Sequence, residues 1–185
     1  MYIFDLDNKK WSNVKTTGMD LDNCISQLMW IFKNEIYSID MDHIYVLNLK
    51  DFHWKIIETV PSNLKNYHSR SISIHEDSFY IFGGANEILG DVSKSFYEYN
   101  TIHRNFKEIV HSFSPIRLMK HSSCVIFDKL YIFGGSNTED EDAYCVDFND
   151  VYEYNFERSY LMKEIYKKMK SEHFVDILII NSQIP

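Results

Sequence analysis

The sequence has little cysteine, glycine or proline. Its three cysteines, Cys24, Cys124 and Cys145, include no pair at Cys-x-x-Cys spacing. An odd count without ligand spacing argues against a disulfide framework or a zinc site and favours a reducing, cytoplasmic location. Six glycines and three prolines are few for a chain with many turns. We therefore expect Asn, Asp and Ser to form most of the turns.

Positive charge and long apolar runs are also missing. The net charge of −8 does not suit a nucleic-acid surface, because affinity for phosphate comes from Lys and Arg. An anionic membrane surface is unsuitable for the same reason. The chain has no run of about 18 apolar residues, so we expect no transmembrane helix. Residues 1–7 carry acidic groups early and lack the apolar core of a signal peptide. We expect neither a nucleic-acid nor a membrane partner.

Aromatic residues are abundant. They make up 16% of the chain, with 13 Tyr and 13 Phe, and 45% of all residues are hydrophobic. Aromatic and β-branched side chains favour pleated, half-buried surfaces, so the composition predicts a β-rich protein with a real core.

Three sequence landmarks recur in the same order. They are the segments 79–84 and 130–135, which both end in Gly-Gly, the His-Ser pairs at 68–69 and 121–122, and the Tyr-Glu-Tyr-Asn segments at 97–100 and 152–155. The intervals are 51, 53 and 55 residues, which indicates an internal repeat. The growing interval indicates an insertion in 136–149.

Each repeat contains four short aromatic or β-branched segments separated by turn residues, which predicts four antiparallel strands. They lie at 122–127, 130–133, 150–154 and 160–165 in the last repeat and at 69–75, 79–82, 95–99 and 105–110 in the one before. A fainter repeat without Gly-Gly gives 25–32, 35–39, 43–49 and 54–58, and 2–6 with 11–14 resemble the last two strands of another. Leu6 to Trp11 parallels Leu49 to Trp54, so Trp11 and Trp54 are predicted to be equivalent, with Phe106 in that place in the next repeat.

This pattern resembles the kelch repeat, in which Gly-Gly ends the second strand, a Tyr lies in the third and a Trp follows. The residues that carry the resemblance are Gly83, Gly84, Gly134, Gly135, Tyr97, Tyr152, Trp11, Trp54, His68 and His121. The resemblance implies an all-β chain, a partial β-propeller of about 3.5 four-stranded blades. The expected units are a half blade at 1–18, blades at 19–60, 61–110 and 111–166, and, at 167–185, a linker helix that leads into the start of a BTB domain. About 3.5 blades leave sheet edges open, which is compatible with a fragment of a longer propeller, with self-association or with irregular closure, and we expect a fragment or a truncated gene product.

The C-terminal segment allows two interpretations. Residues 161–171 predict the end of the last strand followed by a short helix, and the apolar run 177–180, within the segment 174–180, predicts a buried strand. The second segment resembles the opening of a BTB domain, which implies an adaptor that presents substrates to a cullin-type ubiquitin ligase. It is also compatible with one more propeller strand.

By resemblance, the chain is expected to bind another protein, without a cofactor or metal and without enzymatic activity. Loops that follow each Gly-Gly are the expected contact sites, because loops tolerate variation that strands do not. The residues selected there are Asn86, Glu87, Glu139, Asp140, Glu141 and Asp142. The acidic run lacks the ligand spacing of a calcium loop.

Two alternatives remain open. Many kelch proteins bind actin, and the sequence contains no feature for or against that function. Some kelch-like propellers are copper enzymes, but the eight histidines show no metal-binding spacing and the chain has no phosphate loop or nucleophile motif.

Overall fold

The structure is a computed structural model and describes residues 1–19, 28–40, 42–86, 88–110, 116–138 and 145–156. These residues form 18 strands and one short 3₁₀ turn (Ser62–Leu64), which confirms the all-β prediction. The predicted fourth strand at 160–165, the C-terminal helix and the segment at 174–180 lie outside the described residues.

The first part of the chain forms a hairpin and one complete blade. The N-terminal hairpin pairs β1 (Tyr2–Asp5) with β2 (Lys10–Asn13), and a short β3 (Thr17–Gly18) follows. The first blade contains β4 (Leu28–Phe32), β5 (Glu35–Ile39), β6 (His43–Asn48) and β7 (His53–Thr59) in antiparallel order. β3 adds to its outer edge, parallel to β7.

Two further blades follow, each with a small extra hairpin. The second blade contains β8 (Ser71–His75) and β9 (Ser78–Phe82), then a loop hairpin of β10 (Ala85–Asn86) and β11 (Asp91–Val92), and then β12 (Phe96–Asn100) and β13 (Asn105–Glu108). The third blade contains β14 (Ser122–Ile126) and β15 (Lys129–Phe133), then a loop hairpin of β16 (Ser136–Thr138) and β17 (Cys145–Asp147), and then β18 (Val151–Asn155). Apart from the start of β4, whose predicted residues 25–27 lie outside the described residues, the blade strands begin and end within about two residues of the predicted ones. The loop hairpins were missed, because strands of two or three residues leave no readable alternation.

Asx turns replace glycine between the third and fourth strands. The Asp5 carboxylate accepts hydrogen bonds from the backbone N–H groups of Asp7 and Asn8, each at 2.9 Å. The Asn100 side-chain oxygen accepts hydrogen bonds from the backbone N–H groups of Ile102 and His103, at 3.1 and 2.9 Å. Asn48, at the same place in the first blade, accepts from the Lys50 N–H at 2.8 Å. Side-chain oxygens therefore make the turns that few glycines are available to make.

The core lies between blades, because each sheet buries a face against the next one. One cluster joins the first and second blades and contains Tyr37, Ile39, Ile44, Val46, Phe79, Ile81, Tyr97 and Tyr99. A second cluster joins the second and third blades and contains Tyr80, Phe82, Phe96, Leu118, Leu130, Ile132 and Phe156. No single blade could bury either face alone.

Candidate functional site

The Gly-Gly pair of the second blade lies at the boundary with its neighbours. Gly83 and Gly84 have φ values of +63° and +105°. A Cβ on Gly83 would overlap the carbonyl oxygen of Leu118, which leads into the third blade. A Cβ on Gly84 would overlap the Arg70 side chain and lie 2.7 Å from the His68 carbonyl oxygen. Both the backbone conformation and the space therefore require glycine here.

The pair of the third blade has the same conformation but different surroundings. Gly134 and Gly135 have φ values of +64° and +97°. A Cβ on Gly135 would lie 2.7 Å from His121 Cβ and 2.8 Å from the Met119 carbonyl oxygen. At Gly134 the nearest atom to such a Cβ is the Phe148 carbonyl oxygen, at an ordinary 3.7 Å. Gly134 therefore requires glycine for its backbone conformation alone, whereas Gly83 requires it for both conformation and space.

The predicted equivalence of His68 and His121 is wrong. An isolated bridge pairs His68 with Ala85, and the matching bridge pairs Met119 with Ser136. His68 therefore corresponds to Met119, and His121 corresponds to Arg70. Ser69 lies between His68 and Arg70, and Lys120 lies between Met119 and His121. Both have a positive φ, which fixes the alignment. The structural interval here is 51 residues, so matching His-Ser by identity shifts the alignment by two.

Arg70 is a buried cation that ties the second blade to the preceding segments. Its guanidinium donates to the Asp40 carbonyl oxygen at 2.9 Å and to the Leu64 carbonyl oxygen at 3.3 Å. Burial lowers the pKa of Arg70 to about 10, and the Asp40 carboxylate opposes that shift. The side chain stays charged at neutral pH, with backbone oxygens as its partners.

The tyrosines of the motif occupy matching places. Tyr97 pairs with Ile81 and Tyr152 with Ile132, one blade further on. Burial raises the pKa of Tyr97 to about 12, with a further contribution from Glu108. Its hydroxyl accepts a hydrogen bond from the Asn63 side chain. These interactions favour a packing role for Tyr97, although the motif assignment itself stays a prediction.

The tryptophans are also at matching places but in different environments. Trp11 pairs with Phe4, Trp54 with Leu47, and Phe106 with Tyr99. Trp54 is 7% exposed, whereas Trp11 is 70% exposed. The N-terminal hairpin thus presents its aromatic face to solvent.

The two loop hairpins mark one side of the blades, here called the loop face. In each blade the chain reaches this side after its second strand, and the links between blades also run there. β11 and β16 pack side by side, and Met119 packs with Ala85 and Val92 beneath them. The opposite side carries the tight turns.

The hairpin of β10 and β11 is held firmly at its base. The Asn86 side-chain oxygen accepts from the backbone N–H groups of Ile88 and Leu89, each at 3.1 Å. The Asp91 carboxylate accepts from the Tyr67 hydroxyl at 3.0 Å and pairs with Arg117. Burial raises the pKa of Tyr67, and its hydrogen bond to Asp91 adds to that shift.

Asn86 is a structural residue rather than a contact residue. It is 4% exposed, and its oxygen is used within the turn, so its prediction as a partner contact is wrong. The residues that the hairpin presents are Ile88, at 79% exposure, and Leu89, at 70%. The remaining predicted contact residues lie outside the described residues: Glu87, Glu139, Asp140, Glu141 and Asp142. Sequence reasoning selected the loop at 85–92 as a contact site but missed its Ile-Leu pair, because it singled out polar and charged residues there.

The described parts of the chain contain no group of three or more His, Cys, Asp or Glu side chains placed to hold a metal ion. In the same residues, no helix has the length and apolar character needed to cross a membrane.

Comparison with known proteins gives one family and one fold. No curated protein sequence matches the chain. A solved structure described as "Structure of YjhT" is similar, with a TM-score of 0.69 and 8% identity over 83% of this chain and 59% of that one. At this identity the likeness shows the fold alone, and the chain spans about three fifths of that protein's length. The family model of the KLHDC2/KLHL20/DRC7 Kelch-repeats domain matches residues 38–171. Since that match covers well over half of the sequence, the chain belongs to the kelch-repeat family and has the fold of a partial kelch propeller.

Proposed function

We propose that the chain binds another protein through its loop face, with Ile88 and Leu89 as the central contacts. Kelch repeats generally form protein-interaction propellers, and membership of the family supports that coarse function. The observation that carries the proposal is an exposed aliphatic pair at the tip of a hairpin whose base is fixed by Asn86 and Asp91. Because the base of this hairpin is already fixed, binding would cost less conformational entropy.

The same chain offers a matched control on the opposite side. Ile102 is also exposed and apolar, but it lies in the turn between β12 and β13. A partner that docks on the loop face should not contact it.

We expect Ile88→Asp with Leu89→Asp to remove partner binding and Ile102→Asp to preserve it. Exchanging two anchors of an interface core for acids typically costs more than about 2 kcal/mol, or roughly 30-fold in affinity. The measurement is cross-linking in cells that produce the chain, followed by mass spectrometry and then titration of the identified partner. Equal binding by the double variant and the wild type would contradict the proposed surface, whereas loss of binding by Ile102→Asp would move the contact to the turn side.

We further propose, as the finer assignment, that the partner is a substrate for a cullin-type ubiquitin ligase in the cytoplasm. The support is the resemblance of residues 174–180 to a BTB opening, together with the kelch assignment. In that case the partner's half-life should lengthen when the chain is removed from cells, and the Ile88 and Leu89 double variant should fail to shorten it again. An unchanged half-life would exclude the adaptor role and leave the binding function in place.

A further inference from the structure

Two apolar faces are exposed at opposite ends of the blade series. The first, the hairpin face, consists of Tyr2, Phe4, Leu6 and Trp11 on one side of the N-terminal hairpin. The second, the third-blade face, consists of Ile126, Tyr131, Phe133 and Val151 on the side of the third blade away from the second, where the Lys129–Glu153 ion pair also lies. Most of these side chains are exposed, with Leu6 at 80% and Ile126 at 51%.

The strand register shows which residues of the third blade the hairpin face matches. Phe4 pairs with Trp11 as Tyr99 pairs with Phe106. Tyr99 in turn pairs with Phe79 as Tyr154 pairs with Leu130. Phe4 therefore corresponds to Tyr154. Two residues further along, Leu6 corresponds to Phe156.

The third-blade face matches the surface that receives those residues. Phe133 pairs with Val151 as Phe82 pairs with Phe96, which sets the alignment of the third blade on the second. On this alignment Tyr131 corresponds to Tyr80 and Ile126 corresponds to His75.

The matching surfaces pack together where both are present. Between the second and third blades the Tyr154 and Phe96 ring centroids are 5.1 Å apart. The Phe156 ring lies 4.6 Å from the Tyr80 ring and stacks on the His75 ring at 4.0 Å. Thus the repeat already contains the contact that neither exposed face makes within the described part of the chain.

We propose that a second copy of this chain makes this contact. Its hairpin face packs on the third-blade face of the first copy. By correspondence, Phe4 of one copy lies over Val151 of the other, and Leu6 lies between Ile126 and Tyr131. The contact is head to tail, with different surfaces on the two copies. Each copy supplies three blades and an N-terminal hairpin, so two copies supply six blades and two hairpins, within the about four to eight blades of a closed propeller. Two equivalent contacts then close a dimer.

The test uses the whole 185-residue chain and two variants with a charge at the centre of the contact. We expect the wild type to be a dimer by multi-angle light scattering and analytical ultracentrifugation. Leu6→Lys and Ile126→Glu should each give monomers, with dimerisation weakened by about 100-fold or more, because each places a charge in the middle of the contact, where the packed surfaces would exclude water from it. Ile102→Lys, exposed but on neither face, should remain dimeric.

Mixing the two monomeric variants distinguishes this contact from any symmetric one. The Ile126→Glu copy still has an intact hairpin face, and the Leu6→Lys copy still has an intact third-blade face. They should therefore form a mixed dimer, whose second contact sets the introduced lysine of one copy against the introduced glutamate of the other. A monomeric wild type, a dimer that survives both variants, an open polymer or a mixture that stays monomeric would each overturn the proposal.

Discussion

Gly83→Ala should destabilise the protein by about 4 kcal/mol, whereas Gly134→Ala should cost about 1 kcal/mol. The two glycines occupy the same place in successive blades and have the same φ, +63° and +64°. The cost of a left-handed alanine is therefore common to both. At Gly83 the new methyl would also overlap the Leu118 carbonyl oxygen, while at Gly134 it would meet only an ordinary contact at 3.7 Å.

The measurement is urea unfolding of the wild type and both variants at neutral pH. Gly90→Ala provides a second control, because Gly90 has a φ of +63° and no atom within 4 Å of an added Cβ. Since a domain is stable by only about 5–15 kcal/mol, the Gly83 variant should unfold at a much lower urea concentration. Equal midpoints for Gly83→Ala and Gly134→Ala would show that the approach of Leu118 is unimportant.

The blades were predictable from the sequence because their signals are periodic and repeated. A continuous apolar run that ends at Gly-Gly defines β9 and β15, and the two copies support each other. The equivalence of Trp11 and Trp54 was also available, since the turn between their strands has a constant length. What alternation cannot show is whether a neighbour covers a face, so Trp11 and Trp54 look alike in sequence although only Trp54 is buried.

The site was less predictable, for two physical reasons. His68 and His121 share an identity but not a position, because the backbone repeat is set by the glycines and not by the side chains between blades. Arg70 is accommodated by carbonyl oxygens of Asp40 and Leu64, and nothing requires the same side chain in the next blade. In the loops, polarity suggested a contact role for Asn86, but a short amide that satisfies its own turn is often buried.

His121 should make the protein acid-sensitive between about pH 6.5 and pH 4. Its ring lies in the boundary between the second and third blades, 5.2 Å from the Phe82 ring, and is 6% exposed. Burial lowers the pKa of His121 to about 4, and the backbone of Phe82 offsets only part of that effect. Because the unfolded chain binds the proton with a pKa near 6.5, it holds more protons than the native state in this window, and stability falls as the pH falls.

The expected loss from this one residue is about 2 kcal/mol between pH 7 and pH 5. It is measured as the difference in urea unfolding free energy at the two pH values, for the wild type and for His121→Gln. Glutamine does not titrate, so the variant should lose about 2 kcal/mol less than the wild type over this interval, even if it is less stable at both pH values. His103→Gln, in an exposed turn of the second blade, should keep the full wild-type dependence. If His121→Gln and the wild type lose the same free energy on acidification, protonation of the blade boundary is not what weakens the fold, and the acid response belongs to carboxylates elsewhere.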